Sequence, residues 1–304
     1  MEYLRDTTDF KLNNTAVTFG KFDGFHIGHR YLIEQIKKTG NLETVVFTFD
    51  MSLINFGTKE NILSKTEKVE LYEELGVDYV IEYPFTKAVK DMSAKEFIEE
   101  VIVGKLSARV VAVGNDFRFG KDGSGDAYYL EKVACNYGFD VIRCDKIMCD
   151  EETVSSTAIR NYISAADFSK AGRMLGYNYF VSGIVTEGKK LGRTIGFPTI
   201  NILVPQDKIT PPNGVYATRI DTEYGSFFGI SNIGVNPTVK SDDKKILETH
   251  MFDFDGNMYG KYAKVTFLSF VRKEKRFDGV EALRKQIDLD VKSVKEKICV
   301  DKDV

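Results

Sequence analysis

The sequence predicts an α/β chain in two parts: a parallel α/β sheet, then an antiparallel β-barrel with a terminal helix. Three observations carry this. Apolar strands alternate with amphipathic helices as far as Ile163. One of these strand–helix joints, Val17 to Ile36, is built on a glycine-rich turn. From Tyr177 on, the pattern changes to short alternating strands separated by glycine and proline turns.

The first joint organises the chain. Val17 and Phe19 alternate as strand formers. Gly20, Gly24 and Gly28 let the backbone turn tightly and approach a ligand. Leu32, Ile33 and Ile36 share one face of a helix expected to start near His29. Free N–H groups at a helix N-terminus, together with its macrodipole, favour an anion. His26 and His29 stand at that mouth and are two of the chain's 3 histidines. A nucleotide triphosphate site is the reading that follows. On these residues alone, a metal site and an incidental strand–helix junction stay open.

The following elements complete the sheet. Thr44–Phe49 is an apolar run ending at Asp50, suited to a strand buried on both faces. A helix over Lys65–Leu75 closes at Gly76. Tyr79–Ile81 is a strand. Ser93 and Glu96 form a capping box for a helix carrying Phe97, Ile98, Val101 and Ile102. Arg109–Val113 is a strand that runs into Gly114-Asn115-Asp116-Phe117-Arg118-Phe119-Gly120. A helix near Ala127–Tyr137 precedes the strand Val141–Arg143. The glycine turn, Asp50 and the Gly114–Gly120 segment all follow strands, so they should converge at the sheet's carboxyl edge. Ser155 or Ser156 caps a further helix, where hydroxyls and Arg160 could grip phosphate.

The second part holds its own phosphate-binding pattern. Gly188, Gly192 and Gly196 with Lys189, Lys190 and Arg193 suit a phosphate flap between two barrel strands, without the Walker A spacing; a glycine-rich hairpin with basic solvent-facing residues is the other reading. Thr199 and Asn201 alternate on one strand and so share a face. Their oxygens are hard donors of the kind Mg²⁺ accepts beside nucleotide phosphates. Glu248 lies on a later strand and could take a proton from an attacking hydroxyl; a rim carboxylate in a salt bridge is the other reading. The last helix runs over roughly Val280–Ile298, with Leu283, Ile287, Val291 and Val294 on one face.

Composition narrows the classes. The chain has 304 residues, 43% hydrophobic content and a net charge of −3. That balance argues against nucleic acid as a partner. No apolar run reaches membrane-spanning length, and the N-terminus lacks a signal peptide's apolar core, so a cytoplasmic protein with no membrane partner is expected. Cys135, Cys144, Cys149 and Cys299 show no C-x-x-C pair and read as reduced thiols.

The stretches Gly20–His29, Gly114–Gly120 and Ser155–Arg160, in that order and spacing, resemble the adenylyltransferase half of prokaryotic bifunctional riboflavin kinase/FAD synthetases. The flap with Phe197-Pro198-Thr199-Ile200-Asn201, the Pro212–Tyr216 and Asn232–Thr238 loops and the Glu248 strand resemble riboflavin kinase. The resemblance implies a Rossmann-like nucleotidyltransferase domain over residues 1–170 and a barrel kinase domain over 177–304. It implies riboflavin, FMN, FAD and ATP as ligands, with Mg²⁺ accompanying ATP, and leaves weak self-association open. His26 and His29 would contact the triphosphate, within a loop of Gly20, Phe22, Asp23, Gly24 and Gly28. Ser156, Thr157 and Arg160 would hold the β/γ end. Asp50, Asn115 and Asp116 would line the same site. In the kinase, Glu248 would be the base, and Thr199 and Asn201 would organise metal and phosphate. Gly183, Gly188, Lys189, Gly192, Arg193, Gly196, Pro198 and Asn232 would complete the nucleotide and flavin contacts. One departure stands out: the family's Pro-His-Pro after the second strand is replaced here by Met51-Ser52-Leu53. That points to a less efficient adenylyl step, and leaves a single-activity kinase or a flavin-binding sensor as competing readings.

Overall fold

The computed structural model describes residues 1–50, 60–188, 191–235 and 245–301. The chain divides into two compact units: Met1–Lys59 with Lys65–Ser156, and Glu60–Ser64 with Thr157–Val304.

The first unit is a six-stranded parallel sheet. Its strands are β1 (Glu2–Arg5), β2 (Thr15–Phe19), β3 (Glu43–Asp50), β4 (Tyr79–Pro84), β5 (Ala108–Gly114) and β6 (Asp140–Cys144). Their order is β1-β4-β3-β2-β5-β6. The chain steps outward from β2 through β3 to β4, then restarts on the other side of β2 with β5. The switch point therefore lies between β2 and β5, where the glycine turn and the Gly114–Gly120 segment emerge. β2 is buried at all of its positions, as helices on both faces require. Helices α1 (Ile27–Lys37), α2 (Lys65–Leu75) and α4 (Ala127–Tyr137) match their sequence patterns. Between α2 and α4, α3 (Ala94–Glu96) opens on the expected Ser93/Glu96 capping box and winds into a π-helix over Phe97–Lys105. The strand β1 is an addition to the sequence reading. It is short, half-polar and pairs along one edge only, so it leaves no periodic signal.

The second unit is a closed six-stranded barrel. Its strands are β7 (Phe180–Thr186), β8 (Ile200–Leu203), β9 (Gly214–Thr222), β10 (Gly225–Val235), β11 (Lys245–Met251) and β12 (Tyr262–Lys273). The ring runs β7-β8-β11-β10-β9-β12, and all its pairings are antiparallel. Helix α5 (Ser156–Ser164) leads to α6 (Phe168–Leu175), whose Phe168 ring stacks on Tyr179 of the barrel. The terminal helix α7 (Val280–Asp301) lies on the barrel's outer wall. There Ile287, Val291 and Val294 pack against Val215, Ala217 and Ile230. Residues 60–64 also belong to this unit. Asn61 pairs with Lys208, and the buried Lys208 ammonium donates to the Ile62 carbonyl at 2.8 Å.

Candidate active sites

The glycine turn of the first unit is pinned from below by two aromatic rings. Phe22 (φ 47°) and Phe25 (φ 39°) hold left-handed backbone that bulky residues rarely adopt. Both are fully buried and stack at 5.7 Å, and Phe25 meets Tyr72 edge-on at 4.6 Å. Burial of both rings offsets the backbone strain, which belongs to the class found around functional loops. Gly24 (φ 85°) completes the turn. Gly20 donates to the Phe47 carbonyl at 3.1 Å, tying the loop to β3. Within the same unit, the Ser156 hydroxyl donates to the Asp23 carbonyl at 2.9 Å.

Helix α1 begins at Ile27, two residues before the expected start. The reason is that His26 itself caps it: its carbonyl accepts the His29 and Arg30 N–H groups at 2.8 and 3.1 Å, and its Nδ1 shares the His29 N–H at 3.3 Å. The two imidazoles stack face to face, centroids 3.6 Å apart and 14° from parallel. A Cβ on Gly28 would stand 3.2 Å from His26 Nδ1. The glycine therefore lets the ring fold back over the helix end. Burial depresses His26 to about 4, with Asp23 opposing that shift. Burial, then the neighbouring His26 and Lys68, holds His29 well below the usual imidazole range.

The other expected residues of this site are placed as follows. Asn115 donates to Asp145, and Asp116 pairs with Lys146 at 3.0 Å, both beyond the ends of β5 and β6. Asp50 closes β3 and faces Lys65 at 3.9 Å. Thr157 and Arg160 fall in the second unit, where Arg160 Nε donates to the Glu60 carbonyl at 2.8 Å. Met51–Leu53, which replace the Pro-His-Pro, lie outside the described residues.

In the second unit, a cavity of about 940 Å³ opens between the barrel's outer wall and α7. Gly188, Gly192, Thr199, Asn201, Asn232 and Glu248 all line it. Register explains the convergence. Glu248 on β11 is directly opposite Asn201 on β8 and Asn232 on β10, so the three side chains share a face. The Thr199 hydroxyl donates to Glu248 Oε1 at 2.7 Å. Beneath this face, inside the barrel, Thr218, Ser231 and Thr249 form a buried chain of hydroxyls at 2.8 and 2.7 Å. Val215, Ile230, Leu283 and Ile287 supply apolar walls. Gly188 and Gly192 are tight: a Cβ would collide with the Asn201 amide and the Phe197 carbonyl respectively. A smaller pocket of about 150 Å³ shares Gly188, Thr199 and Asn201 and adds Pro198. Gly196 (φ 87°) has open space beside it, and Gly183 packs against Ile202 on β8. Lys189 and the Arg193 side chain lie outside the described residues.

Sequence reasoning missed the back wall of this cavity. Arg272 Nε grips both carboxylate oxygens of Asp290 at 3.1 and 2.8 Å, and Gln286 donates to the same carboxylate at 2.9 Å. This joins the end of β12 to α7. Asn232 donates to Glu274 at 3.2 Å from the same wall. The only sequence signal was an arginine after an apolar strand and an aspartate beside an apolar helical stripe, which is common on surfaces.

Among the described residues no group of three or more His, Cys, Asp or Glu could hold a metal ion by itself. The donor set at Glu248 fits an ion of another kind. Thr199 gives its proton to Glu248 and keeps its lone pairs, and Asn201 adds an amide oxygen. Mg²⁺ accepts one or two such oxygens and fills its shell with water and phosphate.

A glycine-rich strand–turn–helix on a parallel sheet, and a barrel cavity holding a carboxylate beside hard oxygen donors, suit a two-unit nucleotide-dependent transferase. A family model described as FAD synthetase matches residues 9–158, and one described as riboflavin kinase matches residues 175–298. The bifunctional riboflavin kinase/FMN adenylyltransferase of Pseudomonas fluorescens is 35% identical, over 91% of this chain and 90% of its own. Proteins of that description from Listeria monocytogenes and Escherichia coli K12 are 36% and 34% identical, over 91% and 92% of this chain and 90% and 92% of their own. This chain belongs to the bifunctional riboflavin kinase/FMN adenylyltransferase family. A crystal structure from Streptococcus pneumoniae, named a macrolide-efflux protein, has a TM-score of 0.84 at 27% identity, covering 96% of this chain and 98% of that one. That name is said of that protein; the likeness carries the fold. No described helix here is long and apolar enough to cross a membrane.

Proposed function

We propose that residues 177–304 phosphorylate riboflavin to FMN and residues 1–170 adenylylate FMN to FAD, both with ATP. The observation that carries the kinase half is the Glu248 rung, a carboxylate between two amides with Thr199 at 2.7 Å. The apolar walls suit a flavin ring, and its ribityl chain then reaches Glu248. That carboxylate takes the proton of the 5′-hydroxyl as the oxygen attacks the γ-phosphorus and ADP leaves. Thr199 orients Glu248. Thr199 and Asn201 would hold Mg²⁺, which when bound neutralises charge on the transferring phosphoryl oxygens. Gly188, Gly192 and Gly196 would supply the backbone of a flap over the nucleotide, while Gly183, Pro198 and Asn232 would shape its edges.

In the first unit the FMN phosphate attacks the α-phosphorus and pyrophosphate leaves. The attacking oxygen is already ionised, so positioning and charge stabilisation suffice. His26 and His29 donate to the triphosphate from the turn of Gly20, Phe22, Asp23, Gly24 and Gly28. Ser156, Thr157 and Arg160 hold the leaving pyrophosphate. Asp50, Asn115 and Asp116 border the flavin or adenine side. The reading carries a cytoplasmic location and leaves weak self-association open. Free thiols at Cys135, Cys144 and Cys149 support the location.

The test is chromatography of flavins after incubation with riboflavin, or FMN, plus Mg-ATP. FAD is expected from both. Glu248→Gln should abolish FMN formation and leave FMN-to-FAD conversion intact; His29→Ala should do the converse. Loss of both activities in either variant would break the two-site reading.

A further inference from the structure

We infer that His26 and His29 act as a matched pair of neutral imidazoles, each with its proton on Nε2, and that neither becomes an imidazolium when nucleotide binds. The inference rests on reading this loop as the triphosphate site.

Hydrogen bonding orients the first ring. The His29 backbone N–H is shared between the His26 carbonyl at 2.8 Å and His26 Nδ1 at 3.3 Å, so Nδ1 offers a lone pair and the ring proton sits on Nε2. A second proton on Nδ1 would aim one N–H at another. Burial points the second ring the same way. Among the described residues, His29 Nδ1 is buried and has no hydrogen-bond partner. A proton there would be a buried donor without an acceptor among those residues, whether the ring is neutral or charged. The stacking forbids the doubly charged pair, because the ring centroids are only 3.6 Å apart.

The surroundings agree. Two charged groups bear on the pair: Asp23 of the loop favours charge on His26, and Lys68 of α2 disfavours it on His29. Phe22 and Phe25 set apolar rings 5.1 and 6.3 Å from His29. The positive end of the α1 dipole opposes any added charge. A neutral imidazole at a helix N-terminus can still polarise an oxygen, as in triosephosphate isomerase. Here two Nε2–H donors would leave the stack together, and no proton is taken up on binding. The cationic charge that offsets the triphosphate then has to come from groups other than these rings. The His-x-Gly-His spacing also acquires a reason. Without a Cβ at Gly28, the His26 ring can lie over the helix end that fixes its tautomer.

The chain's 3 histidines make a direct test practical. His250 Nδ1 meets the Pro198 carbonyl at 2.9 Å, so that ring carries a proton on Nδ1 and serves as an internal contrast. The full chain, labelled with ¹⁵N in its imidazoles, is observed with and without Mg²⁺ and α,β-methylene-ATP, between about pH 6 and 8. His26→Asn assigns the first ring. The expected result is that His26 and His29 both keep a protonated Nε2 and a bare Nδ1, free and loaded, with shifts that move on loading. A doubly protonated ring in the loaded chain, or an Nδ1–H tautomer in the free one, would overturn the inference. Resonances of both rings unmoved by saturating nucleotide would remove the triphosphate reading of the loop, and the inference with it.

Discussion

His26→Asn separates the two tasks of one ring. Asparagine caps helices well, so α1 should keep its start and the melting temperature should stay close to that of the parent chain. The shorter side chain cannot carry an Nε2–H to the phosphates. Loss of one such donor typically lowers kcat by about 10²–10³-fold. FMN adenylylation should fall by that order while riboflavin phosphorylation is unchanged, which a flavin assay on each step reads directly. A second consequence concerns pH. The unfolded His26 ring protonates near 6.5 and the folded one near 4. As pH falls through this window the unfolded state binds the proton first, so stability is full above 6.5 and is lost on the way down to about 4. The loss for this ring is roughly 3 kcal/mol. Thermal melts of the first unit should show that acid limb, and His26→Asn should flatten it. A parent chain equally stable at both ends of the window would refute the buried, neutral ring.

At the scale of elements, the cavity depends on close backbone approach. The flap reaches Asn201 only because Gly188 has no side chain; a Cβ there would overlap the amide. Gly188→Ala should therefore displace Asn201 from the Glu248 rung. The expected effect is at least a tenfold loss in kinase kcat/KM, or about 1.4 kcal/mol of transition-state stabilisation. Adenylylation should be untouched. A kinase rate within twofold of the parent would take Gly188 out of the site. The joint between β12 and α7 is another such dependence. The buried Arg272–Asp290 pair holds the helix whose Leu283 and Ile287 wall the cavity. Asp290→Asn should raise the riboflavin KM more than it lowers kcat, because it loosens a wall and leaves Glu248 and Thr199 in place.

For the whole molecule, the family models for the two activities match separate stretches, residues 9–158 and 175–298, so each activity should survive loss of the other. Mixing Glu248→Gln with His29→Ala chains should restore FAD formation from riboflavin, because FMN released by one chain is substrate for the other. FMN accumulation without FAD in that mixture would show that the adenylyl step accepts flavin only from its own chain.

The division between sequence and structure follows the range of the physics. Period, capping and turn chemistry act within a few residues, and they were legible: α2 and α4 run as expected, and Ser93 with Glu96 caps α3. The two-part architecture followed from the change of period near Tyr177. Motif spacing made His26, His29, Thr199, Asn201 and Glu248 candidates, and the last three line one cavity. What lay beyond reach were interactions between residues distant in sequence. The strand β1 owes its existence to one edge of β4. The pairing of Glu248 with both Asn201 and Asn232 is a matter of register across three strands. Arg272 and Asp290 look like surface charges until β12 and α7 are packed. Residues 60–64, flanked by the first unit's elements, join the second through Lys208. The local code thus determined which residues could do chemistry. Tertiary packing decided which of them meet, and it set the protonation of the histidine pair, because burial and stacking exist only in the folded chain.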